Sequence, residues 1–123
     1  MERILCVALP DGGSLCLDAY AGCVCVDGVD IPLTPVQHKI LFALVSASRQ
    51  ILSNEQIGAL LPGSATGGNV RQHITSLRVS LKRIAGLKIV TQHGVGYRVC
   101  DADGNRLRVT PCGHCPRELD RSQ

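Results

Sequence analysis

The chain has 123 residues, enough for one domain with a buried core and little more. Its formal net charge is only +3, and two tyrosines, one phenylalanine and no tryptophan argue against an aromatic stacking platform for single-stranded nucleic acid. No apolar run approaches the roughly 18 residues of a membrane-spanning helix, and the first residues lack a signal-peptide layout, so we expect a cytoplasmic protein.

The charges are distributed unevenly along the chain. Residues 1–68 carry three basic and six acidic groups, residues 69–98 carry six basic groups and no acid, and residues 99–123 carry four of each. The net charges of the three segments are therefore −3, +6 and 0. A basic segment of about thirty residues that contains no acid indicates a surface that binds an anionic partner.

Residues 1–33 have the pattern of short strands. Ile4–Leu9 is an apolar run that ends in a Pro-Asp-Gly-Gly turn, and Ser14–Tyr20 alternates between apolar faces. Cys23–Val26 leads through an Asp-Gly hairpin dipeptide to Val29–Leu33. This segment predicts a four-stranded antiparallel sheet.

Two capping boxes mark the starts of two helices. Thr34 and Gln37 flank a proline at the first helical position, and apolar residues follow at helical spacing to about Ser48. Ser53 and Gln56 repeat the capping pattern for a second, short helix.

A third and longer helix is predicted from about Asn69 to Ala85, where Gly86 ends it. Its apolar stripe consists of Val70, Ile74, Leu77, Leu81 and Ile84. Two short strands follow, Leu87–Val90 and Tyr97–Cys100, joined by a glycine-containing turn. Residues 101–123 are polar and turn-rich, so we expect a tail.

Three helices followed by a basic hairpin form a helix-turn-helix extended by a wing. A DNA major groove accepts one helix, and a hairpin can lie over the neighbouring backbone or minor groove. We therefore predict that the chain binds double-stranded DNA. If only the charge is considered, the alternative interpretation is that the basic face of the third helix is simply exposed to solvent and binds nothing. No residues require a cofactor or indicate catalysis, so we do not expect an enzyme.

The candidate DNA-binding residues lie opposite the apolar stripe of the third helix and in the hairpin. Arginine, glutamine and hydroxyl side chains match base edges in the major groove. Groove contacts are predicted for Arg71, Gln72, Thr75 and Ser76. Contacts to the backbone or from the wing are predicted for Arg78, Lys82, Arg83, Thr91, His93 and Arg98. The remaining candidates are Asn69, a predicted cap, together with Val79 and Gln92.

Three stretches carry a resemblance to a known family. Residues 33–41, LTPVQHKIL, are similar to its first-helix entry, Leu-Thr-x-x-Glu-x-x-x-Leu. Residues 70–81, VRQHITSLRVSL, are similar to its recognition helix, Val-x-x-His-Ile-x-x-Leu-Arg-x-Lys-Leu. Residues 89–98, IVTQHGVGYR, are similar to its wing, Ile-x-Thr-Val-Arg-Gly-x-Gly-Tyr-Arg. Residues 1–100 thus resemble the winged helix-turn-helix DNA-binding domain of OmpR/PhoB-type response regulators.

The resemblance implies an α+β fold with an N-terminal four-stranded antiparallel sheet over residues 1–33, three helices over 34–86 and a C-terminal β-hairpin wing over 87–100. Residues 101–123 form a cysteine-containing tail, and we expect a free-standing protein without a receiver domain. The resemblance also implies a sequence-specific transcription regulator that binds tandem half-sites as a homodimer. In the family, the loop that matches Leu61–Gly68 often contacts RNA polymerase. Here this segment is small and uncharged, so activation, repression and partner recruitment all stay open.

The sequence departs from the family pattern at three positions. Arg71 replaces a common acid, Ser80 replaces the usual lysine of the recognition helix, and His93 replaces the wing arginine. The substitution of histidine for arginine predicts a weaker or pH-sensitive wing contact.

Seven cysteines form a second chemical signal. Their number is odd, so they cannot all pair within one chain, and without a secretion signal we expect reduced thiols. Cys112 and Cys115 are spaced to chelate zinc and could do so with Cys100 and one further ligand, or they could form a redox disulfide. The cysteines of the predicted strands are expected to be small core residues: Cys6, Cys16, Cys23 and Cys25.

Two alternative functions remain open from the sequence. A winged helix can be a protein-interaction module that binds or sequesters another regulator or RNA polymerase, with its basic face against an acidic partner. The chain could also be a redox- or zinc-responsive regulator that senses through Cys112 and Cys115.

Overall fold

The computed structural model describes residues 4–9, 12–19, 22–47, 50–61, 67–82, 84 and 86–112, without the side chains of residues 67–69, 111 and 112. The helices are α1 (Pro35–Ser46), α2 (Asn54–Gly58) and α3 (Gly67–Leu81). The strands are β1 (Ile4–Ala8), β2 (Ser14–Asp18), β3 (Cys23–Val26), β4 (Val29–Asp30), β5 (Leu52–Ser53), β6 (Leu87–Gln92), β7 (Gly96–Asp101) and β8 (Arg108–Cys112).

The four predicted N-terminal strands are present, and a fifth strand joins them. The sheet has the order β4-β3-β2-β1-β8 with antiparallel pairing, and β8 comes from the segment expected to be a tail. Val109 of β8 lies opposite Val7 and packs against the main core. Because β8 is an edge strand, Pro111 is tolerated there.

The two faces of this sheet bury different residues. One face contributes Leu5, Val7, Leu15, Leu17 and Val24 to the main core, which also includes the inward faces of all three helices. The other face carries a separate small cluster of Ile4, Cys16 and Cys25, with Cys6 and Cys23 packed against it. The alternation of the strand sequences therefore separates an aliphatic face from a cysteine-rich face.

Both predicted capping boxes are confirmed. The Gln37 backbone N–H donates to Thr34 Oγ1 at 3.1 Å, and the Thr34 backbone N–H donates to Gln37 Oε1 at 3.0 Å. Ser53 and Gln56 make the same reciprocal pair at the start of α2. These bonds fix where α1 and α2 begin.

A second, three-stranded sheet has the order β5-β7-β6. Its two long strands are the predicted wing, and β5 adds Leu52 opposite Tyr97. A Cβ on Gly96 would overlap the Leu52 carbonyl, so this close approach requires glycine. The wing is thus attached directly to the residues that start α2. Among the described residues, no helix has the length and apolarity needed to cross a membrane.

Candidate nucleic-acid interface

The two faces of α3 are separated as its sequence predicts. Val70, Ile74 and Leu77 are fully buried against the core. The opposite face exposes Arg71, Gln72, Thr75, Ser76, Val79 and Lys82. Val79, on the same face, is 60% exposed.

Ser76 is held from beneath by α1. Gln37 Nε2 donates to Ser76 Oγ at 2.7 Å, while Gln37 Oε1 accepts from the cap of α1. The Gln37 side chain is only 7% exposed, so both ends of its amide are used inside the protein. The Ser76 hydroxyl therefore accepts a hydrogen bond from the side chain that caps α1.

Arg78 joins α3 to the wing. Its guanidinium donates to the Ile89 carbonyl through Nε at 3.3 Å and Nη2 at 3.1 Å, and through Nη2 to Thr91 Oγ1 at 2.7 Å. The guanidinium carbon also lies 6.0 Å from the centre of the Tyr97 ring. Two residues predicted to contact DNA, Arg78 and Thr91, therefore first position the wing relative to α3.

The wing presents its turn to solvent beside the N-terminal part of α3. Gln92, His93 and Val95 are exposed, whereas Arg98 is half-buried. A cleft between the two elements is lined by Arg71 of α3, by Asn54 of α2 and by the wing turn. The sequence predictions did not include Asn54 or Val95. The β5–β7 pairing brings Asn54 to this cleft, which spacing along the chain does not show. Val95 lies in the wing turn itself, between the predicted residues His93 and Arg98.

Several predicted site residues lie outside the described parts of the chain. These are the side chain of Asn69, all of Arg83 and most of the Leu61–Gly68 segment proposed for RNA polymerase. The side chain of Cys112 and all of Cys115 are also outside them. Cys100, the third predicted zinc ligand, is fully buried in β7 with a free thiol. Within the described residues, no three His, Cys, Asp or Glu side chains are grouped to hold a metal.

The expectation for Cys6 is wrong. It was predicted to be a reduced core residue, whereas the structure shows it disulfide-bonded. Cys16 and Cys25 match the prediction that they are core residues, since they are 4% and 2% exposed. The odd number of cysteines excluded complete pairing within the chain but left up to three disulfides possible.

The matching family model agrees with this arrangement of helices and wing. The family described as "Transcriptional regulatory protein, C terminal" matches residues 28–99. The chain belongs to this family. It is therefore an OmpR/PhoB-type DNA-binding domain of a transcription regulator, and the matched region extends from the β3–β4 turn into β7, the second wing strand. No curated protein matches the sequence significantly.

Solved structures of DNA-binding domains share the fold of this family member. The DNA-binding domain of E. coli CadC superposes with a TM-score of 0.68 at 19% identity, covering 91% of this chain and 100% of that one. The DNA-binding domain of the response regulator AdeR superposes with a TM-score of 0.62 at 19% identity, covering 70% of this chain and 93% of that one. The DNA-binding domain of Klebsiella pneumoniae RstA superposes with a TM-score of 0.58 at 24% identity, covering 70% of this chain and 90% of that one. These similarities support the winged-helix architecture.

Proposed function

We propose that this domain is a sequence-specific double-stranded DNA-binding regulator, with α3 in the major groove and the wing on the adjacent backbone or minor groove. The observation that carries the proposal is the common surface of α3 and the wing. It exposes Arg71, Lys82 and Lys88 within a thirty-residue segment that contains no acid. Cations there would face phosphates, and polar α3 side chains would face base edges.

The similar structures support the same partner. The AdeR domain was crystallised with an intercistronic region, and the RstA domain with the RstA box. The position of Val79 is consistent with this partner, since a duplex would cover a side chain that is 60% exposed in the protein alone.

The proposal predicts a measurable salt dependence. If four or five of the cations of α3 and the wing meet phosphates, log K against log salt should fall with a slope of roughly −3 to −5 per monomer. Fluorescence anisotropy with a site selected from random duplexes measures this slope. Arg106→Ala is the matched control, because Arg106 is an exposed cation after the wing strands.

The outcomes differ clearly between partners. A duplex-binding regulator selects a consensus from random sequences, and Lys82→Ala reduces the slope by about 1 whereas Arg106→Ala leaves it unchanged. Absence of binding to any duplex at low salt would reject the proposal. Stoichiometric capture of one protein, unaffected by competing DNA, would favour the protein-interaction alternative instead.

A further inference from the structure

A cleft open to solvent lies where the last turn of α3 and the residues after it meet the wing strand β6. Its volume is about 240 Å³. Four aliphatic side chains line it and belong to the main core, each between 2% and 6% exposed: Leu81, Ile84, Leu87 and Ile89. The cleft is therefore a place where the aliphatic core reaches the surface, and we call these four side chains its floor.

Three cations line the same cleft. Lys82 and Lys88 are exposed, and Arg78 is half-buried. None of the described residues that line the cleft is acidic, and residues 69–98 contain no acid at all. Cations beside an aliphatic floor are complementary to a ligand that combines an anionic group with an apolar body.

Arg78 is the cation whose position is fixed by the protein. Its Nη2 atom donates to the Ile89 carbonyl at 3.1 Å and to Thr91 Oγ1 at 2.7 Å, and its Nε atom donates to the same carbonyl at 3.3 Å. Its Nη1 atom makes no hydrogen bond with any described residue. Both Nη1 protons are thus left for an outside acceptor, and a carboxylate is an anion whose geometry matches a guanidinium.

The arrangement is less suited to two other occupants. The strand β6 forms one edge of its sheet, but a peptide strand added there would need the Ile89 carbonyl, which already accepts from Arg78. A DNA phosphate would use the cations but would leave the aliphatic floor in contact with water. A small ligand with both an acid and an apolar chain uses all of the surfaces in the cleft.

We propose that this cleft binds a small amphiphilic carboxylate of the medium-chain fatty acid class. The carboxylate would lie against Arg78, Lys82 and Lys88, and the alkyl chain would cover the aliphatic floor. The cleft is smaller than the roughly 300–1,000 Å³ of sites for drug-sized molecules, which favours a chain of medium length over a long one.

The consequence for regulation rests on the proposed function. Lys82 and Lys88 are among the cations proposed to face phosphates, and a bound carboxylate would neutralise part of their charge. Arg78 also holds Thr91 of the wing, so the ligand would lie at the joint between the two DNA-binding elements. Ligand and duplex should therefore compete, and the domain should release DNA when the carboxylate is abundant.

Titration of the full chain with sodium octanoate tests the site without DNA. Methyl-resolved NMR should show shifts concentrated on the floor of the cleft. Each methylene added between hexanoate and octanoate should tighten binding about fourfold, because each buries one more apolar group. The alcohol 1-octanol should bind about tenfold more weakly than octanoate, because it lacks the charged acceptor for Arg78.

Matched charge reversals test the role of the cations. Lys88→Glu places an acid in the cleft and should weaken octanoate binding by about tenfold or more. Lys39→Glu makes the same change of net charge at an exposed position of α1 outside this cleft, and should bind octanoate as the wild-type protein does. Both side chains are exposed, so Tm should stay close to the wild-type value in each variant.

Four results would overturn the inference. Octanoate at millimolar concentration could leave the floor methyls unshifted, or 1-octanol could bind as tightly as octanoate. Lys39→Glu could weaken binding as much as Lys88→Glu, which would reduce the effect to net charge. An acidic peptide could bind the cleft more tightly than octanoate, which would assign the surface to a protein partner.

The inference and the proposed function fail in different experiments. Octanoate binding in a protein that selects no duplex would reject the proposed function and leave the carboxylate site in place. Duplex binding that octanoate does not weaken would reject the competition between ligand and DNA. Fluorescence anisotropy of the selected duplex with increasing octanoate, in the wild-type protein and in Lys88→Glu, measures this competition.

Discussion

The guanidinium of Arg78 in α3 and the hydroxyl of Thr91 in the wing lie 2.7 Å apart and hold the two elements in one arrangement. Thr91→Val keeps the shape of the side chain but removes the acceptor. We expect it to destabilise the fold by about 1–2 kcal/mol, since a charged donor loses one of its two acceptors. Urea denaturation measures this loss, and Thr91→Ser, which keeps the hydroxyl, should lose much less. Equal losses in the two variants would show that the hydroxyl does not matter.

Gly96 determines whether β5 can pair with the wing. In Gly96→Ala the new Cβ would overlap backbone atoms of Leu52 and Ser53, which cannot move without breaking the β5–β7 pairing. The expected destabilisation is about 3 kcal/mol or more, measured as a shift in the urea midpoint.

Gly94→Ala is the matched control for this strand contact. Gly94 has φ +77°, yet among the described residues no heavy atom beyond its two chain neighbours lies within 4 Å of the position of an added Cβ. The loss of stability in Gly94→Ala should therefore come only from placing an alanine in the left-handed backbone conformation, which costs about 1–2 kcal/mol. If both alanine variants lost the same stability, the close approach of Leu52 would not be the reason for glycine at position 96.

Much of the fold could be predicted from local sequence patterns. The capping boxes at Thr34 and Ser53 depend on residues three apart, and the buried stripe of α3 depends on helical periodicity, so neither needs tertiary information. The strand β8 was not predicted, because it has only five residues and one of them is a proline. Its partner β1 also lies about a hundred residues earlier in the chain, so local sequence patterns do not show the pairing.

The same distinction applies to the candidate site. The exposed face of α3 follows from its helical period, and the described residues predicted for that face are exposed: Arg71, Gln72, Thr75, Ser76, Val79 and Lys82. The acceptor of Arg78 was not predictable, because it is the backbone carbonyl of Ile89, and every residue type has that group. Asn54 was missed for a similar reason, since only the folded β5–β7 pairing brings it beside the wing.

Arg71 and Lys82 should affect DNA binding differently if the proposed function is right. Arg71 is exposed near the start of α3 and lines the cleft beside the wing, whereas Lys82 follows its last turn. We expect Arg71→Ala to cost about 1–3 kcal/mol at the selected site and to relax preference at one position. Lys82→Ala should weaken selected and random duplexes equally. Competition anisotropy with single-base variants of the site distinguishes the two patterns. If Arg71→Ala left the base preference unchanged at every position, Arg71 would not take part in base recognition.

His38 should make folding stability depend on pH. Its ring is 4% exposed, stacks on Phe42 and places Nε2 3.3 Å from the Cys23 carbonyl. Burial lowers the pKa of His38 below 6.5, against smaller opposing effects of the Cys23 carbonyl and Asp18. The unfolded chain therefore binds more protons once the pH falls below about 6.5. The stabilisation that the folded protein gains from keeping His38 neutral is therefore complete above that pH. It is lost progressively as the pH falls towards the pKa of His38 in the folded state.

Replacing the imidazole should reduce this dependence. In His38→Gln, the difference in urea-unfolding free energy between pH 7.5 and pH 5.5 should be smaller than in the wild-type protein, because one proton-linked group is gone. The variant itself is expected to be less stable at pH 7.5, since a ring packed against Phe42 is lost. His93→Gln, which removes an exposed imidazole of the wing turn, should retain the wild-type dependence. A pH dependence that survives in His38→Gln but disappears in His93→Gln would assign the linkage to the wing instead of the buried ring.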